Sequence, residues 1–196
     1  MTREHPPLLL ASTSPYRRAL LERLGLEFQV ESPGCDEEVG ELSEAVAIVH
    51  ELSLRKAWAV ARRHPDALVI GSDQVLALDD QILGKPGTPA RARAQLARLS
   101  GRDHRLVTGV ALVHGASGRE RVDHEDFRLV FRTLTAAEIA SYVELDDPVD
   151  CAGSYKLESR GIWLVDELDG SDESSIVGLP LIKLVEMLRT FGVHGI

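Results

Sequence analysis

The amino-acid sequence predicts an α/β fold with a mixed central sheet flanked by helices. Short apolar runs of strand length alternate with longer stretches that carry helix-capping residues and helical periodicity. Two later stretches of the sequence are each predicted to form two strands joined by a short turn. The sheet should therefore contain antiparallel as well as parallel pairs of strands. A chain of 196 residues with 44% hydrophobic and 27% charged residues is typical of one globular domain, here residues 1–196.

The first half of the chain is predicted to alternate strands with helices. Ser14 followed by Pro15 is a favourable helix start, and Ser43 is expected to cap a longer helix that Pro65 ends. A turn at Asp79–Asp80 is predicted to join two strands. The expected elements are, in order, a strand at 8–11, a helix at 15–24, a strand at 28–31, a helix at 44–63 and paired strands within 67–86.

The second half is predicted to place a long hairpin between helices. In its returning strand, Phe127, Leu129 and Phe131 alternate with other residues, which indicates one buried face. Thr135 and Glu138 have the spacing of a capping box. The expected elements are a helix from 88–89 to about 101, a hairpin over 104–134 that turns at 115–118, a helix at 135–145, a strand at 161–165 and a helix at 180–191.

The composition argues against several classes of protein. The formal net charge of −9, with no basic stripe of interleaved aromatics, argues against a surface for polymeric nucleic acid. The apolar run Leu8–Ala11 is too short for a signal sequence or a membrane span, so the expected location is the cytoplasm, away from membranes. Cys35 and Cys151 lack metal or redox spacing; they could form a disulfide with each other, but free thiols are expected.

The helix that follows Ser14 begins with two adjacent cations, Arg17 and Arg18. The helix dipole disfavours a cation in the first turn by about 0.3–1 kcal/mol, so an anion is expected nearby. Backbone N–H groups, hydroxyls and guanidinium groups would together form a pocket for an anionic ligand. The alternative is ordinary capping, with both arginines paired to acids such as Glu22 or Asp36. The sequence has no phosphate-binding motif of the G-x-x-x-x-G-K-[ST] type.

Two further ionisable residues occupy positions that suit apolar side chains. Lys56 falls on the core-facing stripe of its helix, so it must be paired, reach a cleft, or extend its amino group to solvent. Asp73 interrupts an apolar strand, either as a reactive carboxylate or as part of a Gly-Ser-Asp bend. Lys85, considered alone, does not indicate a function. Together with the two arginines and an acidic loop that contains Glu37, these residues suit a triphosphate with a bound divalent cation.

Six short motifs follow one another along the chain: "ASTSPYRR", "CDEE", "RKA", "GSDQ", "GKP" and "AGSYKLE". The stretch "VGLPL" comes after them, near the C-terminus. In order and approximate spacing they resemble the Maf family, and the resemblance covers nearly the whole chain, from Leu8 to Leu188. Each motif alone is weak, whereas six in the same order are highly specific.

The resemblance implies a nucleoside triphosphate pyrophosphatase with an elongated, two-lobed fold and a central cleft, akin to inosine-triphosphate pyrophosphatases. Hydrolysis at the α-phosphorus would release pyrophosphate and a nucleoside monophosphate, with Asp73 as the general base that activates water. It also implies a divalent metal cofactor, Mg²⁺ or Mn²⁺, held by Glu37 and Asp73. The other implied roles are catalytic for Lys56, Lys85 and Glu37, and substrate-binding for Ser12, Ser14, Arg17 and Arg18.

Three positions divide the family by substrate, and in this chain they are Tyr16, Gln74 and Glu158. They resemble the branch that hydrolyses 7-methyl-GTP rather than the branch that acts on dTTP and UTP. The positive charge of N7-methylated guanine favours stacking on Tyr16 by about 0.5–2 kcal/mol. Glu158 can accept hydrogen bonds from the guanine N1–H and N2–H. The chain departs from this branch at Tyr16, where Trp is common, and at Ser159, where Gly is expected.

Two other functions suit the same residues. One is a Maf pyrophosphatase with a broader or different preference, for dTTP and UTP or for other modified nucleotides. The other is a nucleotide-binding regulator of cell division that does not turn its ligand over. A pure binding protein has no need of a general base, so Asp73 favours an enzyme. By analogy with the family, a homodimer is expected.

Overall fold

The computed structural model describes residues 5–196 and confirms the mixed α/β fold. Its strands are β1 (Leu8–Ala11), β2 (Phe28–Glu31), β3 (Leu68–Leu78), β4 (Gln81–Leu83), β5 (Asp103–His114), β6 (Arg119–Phe131) and β7 (Val165–Asp169). Its α-helices are α1 (Pro15–Glu22), α2 (Ala45–Ala61), α3 (Pro89–Leu99), α4 (Ala136–Asp146), α5 (Ser174–Val177) and α6 (Leu181–Thr190). Two 3-10 turns, Ala152–Ser154 and Arg160–Leu164, follow α4. Within the described range, no helix is long and apolar enough to cross a membrane.

The seven strands form one sheet in the order β2-β1-β3-β5-β6-β7, with β4 paired to β3. β1 runs parallel to both β2 and β3, whereas β4 is antiparallel to β3 and β7 is antiparallel to β6. The parallel pairs come from the first part of the chain, where a helix provides the crossover that parallel strands require. The predicted turn at Asp79–Asp80 joins the antiparallel pair β3 and β4.

The chain divides into two compact units. The first comprises the chain up to Asp73 together with Thr108–Glu125 and Asp172–Ile196. The second comprises Gln74–Val107 and Asp126–Ser171. Strands β3, β5 and β6 therefore contribute residues to both units.

In the first unit, helices cover both faces of the sheet. Side chains alternate between faces along a strand, so Leu8 and Leu10 pack with α1 and α6, whereas Leu9 and Ala11 pack with α2. The buried cluster on the first face comprises Leu8, Leu10, Leu20, Leu21, Leu68, Ile70, Val110, Leu112, Leu179, Leu181, Leu184, Met187, Leu188 and Val193. The buried cluster on the second face comprises Leu9, Ala11, Ala57, Val60, Ala61, Ala67, Val69, Ala111 and Val113. Burial on both faces explains why β1 is apolar at every position.

In the second unit, α3 packs against α4 and against the 3-10 turn Ala152–Ser154. The alternation predicted for β6 is confirmed, because Phe127, Leu129 and Phe131 are all buried. The rings of His104 and Tyr155 pack edge-on against Phe131. Burial lowers the pKa of His104 to about 4, so this imidazole is neutral at physiological pH.

Helix caps were mostly predictable from sequence. Ser14, Thr88 and Thr135 are N-caps whose side chains accept backbone hydrogen bonds, and Thr135 belongs to a complete capping box. The prediction of Ser43 as a cap was wrong, because the N-cap of α2 is Glu44, whose side chain forms no capping bond. Helix α2 begins at Ala45, the first residue of its buried stripe. Burial of this face, and not a capping side chain, therefore fixes where the helix starts.

The strand predicted at 161–165 was wrong for most of its length. Arg160–Leu164 form a 3-10 turn, and the strand begins only at Val165. The N–H of Gly161 donates to the carbonyl oxygen of Lys156 at 2.9 Å, which turns the chain back on itself. A β-carbon on Gly161 would lie 2.4 Å from that oxygen, so glycine permits the tight turn.

Helix α2 packs unusually close to the sheet. A β-carbon on Gly71 of β3 would lie 2.1 Å from the carbonyl oxygen of Ser53, and one on Gly109 of β5 would lie 2.6 Å from that of Val49. Glycine at these two strand positions therefore allows the helix backbone to approach the sheet directly. The approach brings the polar residues of α2 beside Asp73.

Gly71→Ala should destabilise the protein by about 1–3 kcal/mol, because the new methyl group would collide with backbone rather than with a movable side chain. Chemical denaturation followed by circular dichroism measures the free energy of unfolding. Gly84→Ala is the matched control, since a β-carbon there would meet no atom within 4 Å. Equal unfolding free energies for the two variants would contradict the close-packing explanation.

Candidate active site

A buried ion pair connects α2 to β3. Lys56 Nζ lies 2.5 Å from Asp73 Oδ1 and 2.9 Å from Glu37 Oε1. The side chains of Lys56 and Asp73 are only 7% and 11% exposed, whereas Glu37 is mostly exposed. Lys56 is therefore paired rather than extended to solvent, and Asp73 lies within the continuous strand β3 rather than in a bend. The structure thus brings three predicted site residues into direct contact.

Hydroxyl groups hold the backbone around Asp73. The Asp73 N–H donates to Ser53 Oγ at 3.0 Å, one helical turn before Lys56. The Ser72 hydroxyl lies 2.7 Å from the carbonyl oxygen of Gly109 and 2.9 Å from that of Gly178. These contacts are buried and connect β3 with α2, with β5 and with the segment before α6. They hold in place the backbone that carries the Asp73 carboxylate.

The turn between β1 and α1 is ordered by its own serines. The Ser14 N–H donates to Ser12 Oγ at 3.1 Å, and Ser14 Oγ accepts the Arg17 N–H at 3.4 Å. Ser12 is buried, whereas Tyr16, in the first helical turn, is 37% exposed. The Tyr16 ring is therefore accessible to a ligand, and both serines predicted to bind substrate lie in the same short turn.

Arg17 is held by a carbonyl group. Its Nε donates at 2.8 Å to the carbonyl oxygen of Gly178, the same atom that Ser72 contacts. Burial lowers the pKa of Arg17, and the negative charges of Asp73 and Glu37 oppose that shift. Arginine remains charged in proteins, so the guanidinium is a fixed cation within electrostatic range of both carboxylates. The charge of Arg17 is thus partly balanced by protein carboxylates, and its role in binding an anionic ligand stays a prediction.

Arg18 makes a different contact. Its Nε donates to Glu22 Oε1 at 3.0 Å, and these side chains are 63% and 55% exposed. Pairing with Glu22 is the alternative to an anion pocket that the sequence left open. The two neighbouring arginines therefore differ in their surroundings. A phosphate-binding role for Arg18 remains a prediction that this contact does not support.

Three predicted residues, Gln74, Lys85 and Glu158, belong to the second unit. The pKa of Cys151 is raised to about 11, mainly by burial. Among the nearby charges, those of Lys156 and Lys85 act to lower this pKa and that of Glu158 acts to raise it. Lys85 and Glu158 therefore both lie within electrostatic range of one thiol. Cys35 and Cys151 are free, as the sequence predicted.

Carboxylates near Lys56 are the candidate metal ligands. Among residues 5–196, no three or more His, Cys, Asp or Glu side chains are placed to hold a metal ion by themselves. Glu37 and Asp73 both contact the Lys56 ammonium group, so their carboxylates lie close together. Mg²⁺ is commonly held by one or two carboxylates together with substrate phosphates. The two carboxylates therefore fit an ion that arrives with a polyphosphate, and do not form a complete protein cage.

Comparison with known proteins decides the family. Residues 7–191 match the family model described as Maf-like protein. The chain belongs to the Maf family. A protein from Chromohalobacter salexigens named 7-methyl-GTP pyrophosphatase is 49% identical over 186 residues, which cover 95% of this chain and 96% of the relative. A protein of the same name from Pseudomonas aeruginosa is 50% identical over 189 residues, which cover 96% of this chain and 98% of the relative.

A solved structure confirms the fold expected for a Maf protein. A HAM1 protein from Coxiella burnetii is 14% identical to this chain and superposes with a TM-score of 0.51. The match covers 94% of this chain and 99% of that protein. At this level of identity the likeness concerns the fold alone.

The Maf motif "VGLPL" has a role here that sequence reasoning missed, because the carbonyl group of Gly178 holds Arg17. The carboxylate of Asp172 accepts the Ser174 N–H at 3.0 Å and the Ile182 N–H at 2.8 Å, which ties together the two ends of the segment that contains Gly178. The Asp-x-Ser spacing at 172–174 is a local signal for an Asx turn. The long-range contact to Arg17 has no local signal.

Lys56→Met should destabilise this Maf protein by about 3–5 kcal/mol, because it leaves the buried Asp73 carboxylate without its cation. Arg18→Met is the matched control, and loss of its exposed pair with Glu22 should cost less than about 1 kcal/mol. Urea denaturation measures both values. A Lys56→Met variant as stable as Arg18→Met would show that the buried pair is not an important contact.

Proposed function

We propose that this Maf protein hydrolyses 7-methyl-GTP to 7-methyl-GMP and pyrophosphate. The observation that carries the proposal is the buried contact of Lys56 with Asp73, beside Glu37 and within electrostatic range of Arg17. Apolar residues of similar size in place of the buried ion pair would make the protein at least as stable, so stability does not explain why charged residues are found there. Hydrolysis of a triphosphate provides one, because it requires cations for the phosphates and a carboxylate for the water. The relatives named 7-methyl-GTP pyrophosphatase support the choice of substrate.

Cations of the first unit would bind the phosphate groups. The ammonium group of Lys56 has three N–H donors, of which Asp73 and Glu37 use two, so one can point to a phosphate oxygen. Arg17 uses Nε for the carbonyl of Gly178 and keeps its terminal N–H groups for phosphate oxygens. Ser12, Ser14, Arg18 and Lys85 are proposed as further phosphate ligands.

Asp73 is proposed as the general base. Lys56 contacts Oδ1, and the side chain of Asp73 keeps 11% of its surface exposed. Oδ2 can then accept a proton from water as the water oxygen bonds to the α-phosphorus. The bond between that phosphorus and the bridging oxygen breaks, and pyrophosphate leaves with the electron pair.

A divalent ion, Mg²⁺ or Mn²⁺, belongs to the same proposal. Glu37 and Asp73 would hold it, and the contact of both carboxylates with the Lys56 ammonium group supports this choice. When bound, such an ion neutralises part of the charge of the triphosphate and helps to orient it.

The base would be recognised by Tyr16, Gln74 and Glu158. The exposed ring of Tyr16 can stack on N7-methylated guanine, whose positive charge strengthens the contact. The exposed carboxylate of Glu158 can accept two N–H donors of guanine and offset that charge. Thymine and uracil offer one imide donor between two carbonyl groups, which a carboxylate repels.

The wider setting is also proposed from the resemblance. We infer a cytoplasmic enzyme that acts on free nucleotides, away from membranes and polymeric nucleic acid, and that forms a homodimer. The net charge of −9 supports the choice of free nucleotides, because polymeric nucleic acid binds to basic surfaces.

Asp73→Asn should reduce kcat for pyrophosphate release by about 10²–10⁴-fold, because the amide cannot accept the proton. The assay follows pyrophosphate formed from 7-methyl-GTP with Mg²⁺ or Mn²⁺. Asp66→Asn makes the same change at an exposed position shortly before β3 and should retain the parent rate. Full activity of Asp73→Asn would contradict the proposed base.

Glu158→Gln should lower kcat/KM for 7-methyl-GTP relative to UTP by about tenfold, because the charged acceptor is lost. Pyrophosphate release from 7-methyl-GTP, GTP, dTTP and UTP gives the selectivity of the parent and of the variant. If the parent hydrolyses dTTP or UTP faster than 7-methyl-GTP, the proposed substrate is wrong. Tight binding of all four nucleotides without turnover would instead indicate a non-catalytic regulator.

A further inference from the structure

Asp146, the last residue of α4, is a buried carboxylate for which the proposed chemistry has no use. Its side chain is 1% exposed. Oδ1 lies 3.0 Å from both Ser159 Oγ and Arg160 Nη1, and Oδ2 accepts the Arg160 N–H at 3.2 Å. An anion at the C-terminal end of a helix is disfavoured by the helix dipole. These contacts must therefore compensate for an unfavourable position.

The contacts keep the carboxylate ionised. Burial by itself would raise the pKa of Asp146, but hydrogen bonds from Arg160, Ser159 and Tyr142 outweigh burial and hold the pKa below its ordinary range. Donors from α4 and from the segment after Glu158 thus converge on one buried charge. Hydrogen bonds to a charged acceptor are the stronger kind, so this connection is more rigid than an ordinary loop contact.

The same end of α4 also holds the chain before Glu158. Lys156 Nζ donates to the carbonyl oxygens of Asp146 at 2.8 Å and Asp147 at 3.1 Å. The Lys156 carbonyl oxygen accepts the Gly161 N–H at 2.9 Å, which closes the turn. The residues that flank the turn on both sides are therefore attached to the last residues of one helix.

Glu158 lies inside the turn 156–161, directly after Leu157. Its side chain is exposed, whereas Lys156, Ser159 and Arg160 on either side are all hydrogen-bonded to α4. We propose that Asp146 is a positioning residue for Glu158 and thereby sets the preference for N7-methylated guanine. This inference rests on the proposed function and on the base-reading role of Glu158.

The physical advantage is preorganisation. A carboxylate that must meet two N–H donors of one base edge requires a defined position, and a mobile turn would have to be ordered each time substrate binds. Anchoring both flanks to a helix avoids that cost before the nucleotide arrives. The expected effect of Asp146 is therefore on the binding of the methylated base and not on the bond-breaking step.

Asp146→Asn keeps the shape of the side chain and removes its charge, and Ser159→Ala removes one donor. Each should raise KM for 7-methyl-GTP by about three- to tenfold, with kcat nearly unchanged and with UTP kinetics unaffected. A role in folding alone would lower activity on both nucleotides equally. Ser159→Ala keeps the inference testable if Asp146→Asn folds poorly.

Asp147→Asn is the matched control, because it makes the same change one residue later on an exposed side chain. Its selectivity should equal that of the parent. The double variant Asp146→Asn/Glu158→Gln should be no less selective than Glu158→Gln alone, since Asp146 acts through Glu158. Additive losses in the double variant would contradict that route.

Two outcomes separate this inference from the proposed function. If the parent prefers 7-methyl-GTP and neither Asp146→Asn nor Ser159→Ala changes the selectivity, the positioning role is wrong and the function stands. If the parent does not hydrolyse 7-methyl-GTP, the function is wrong. Amide hydrogen exchange across 156–161 then tests the clamp by itself, and exchange in Asp146→Asn as slow as in the parent would overturn it.

Discussion

The close approach of α2 to the sheet is the constraint on which the candidate site depends. Gly71 and Gly109 lack side chains where the helix backbone lies against the strands, so Ser53 can bind the backbone of Asp73 and Lys56 can reach its carboxylate. A larger residue at either strand position would displace the helix. The Lys56 ammonium group would then move away from the Asp73 carboxylate, and both buried charges would be left without a partner.

Both units use polar groups to hold charged segments of the chain. In the first unit, the Gly178 carbonyl oxygen binds both Ser72 and Arg17, and so connects a strand to a guanidinium group. In the second, the Asp146 carboxylate anchors the residues that follow Glu158. Each arrangement satisfies its donors internally and restricts the positions of the residues that it holds. Chemistry and recognition both require such fixed groups.

Local patterns identified most of the fold and part of the site. The hydroxyl caps of α1, α3 and α4 and the alternation along β6 depend on neighbouring residues only, so they could be predicted. Burial of Lys56 followed from the helical stripe on which it lies. Ser43 and the segment 161–165 were wrongly assigned because packing of Ala45 and the backbone contact of Gly161 with Lys156 decided those boundaries.

The mixed α/β architecture, the capped helices and the set of ionisable residues that need partners could all be inferred from the amino-acid sequence, because they follow from periodicity and from the cost of burying charge. The partners of the buried ionisable residues became known from the folded chain. It paired Lys56 with Asp73, and it joined Arg17 to a carbonyl group 161 residues away along the chain. Such choices depend on distances between elements far apart in sequence, which no local pattern records.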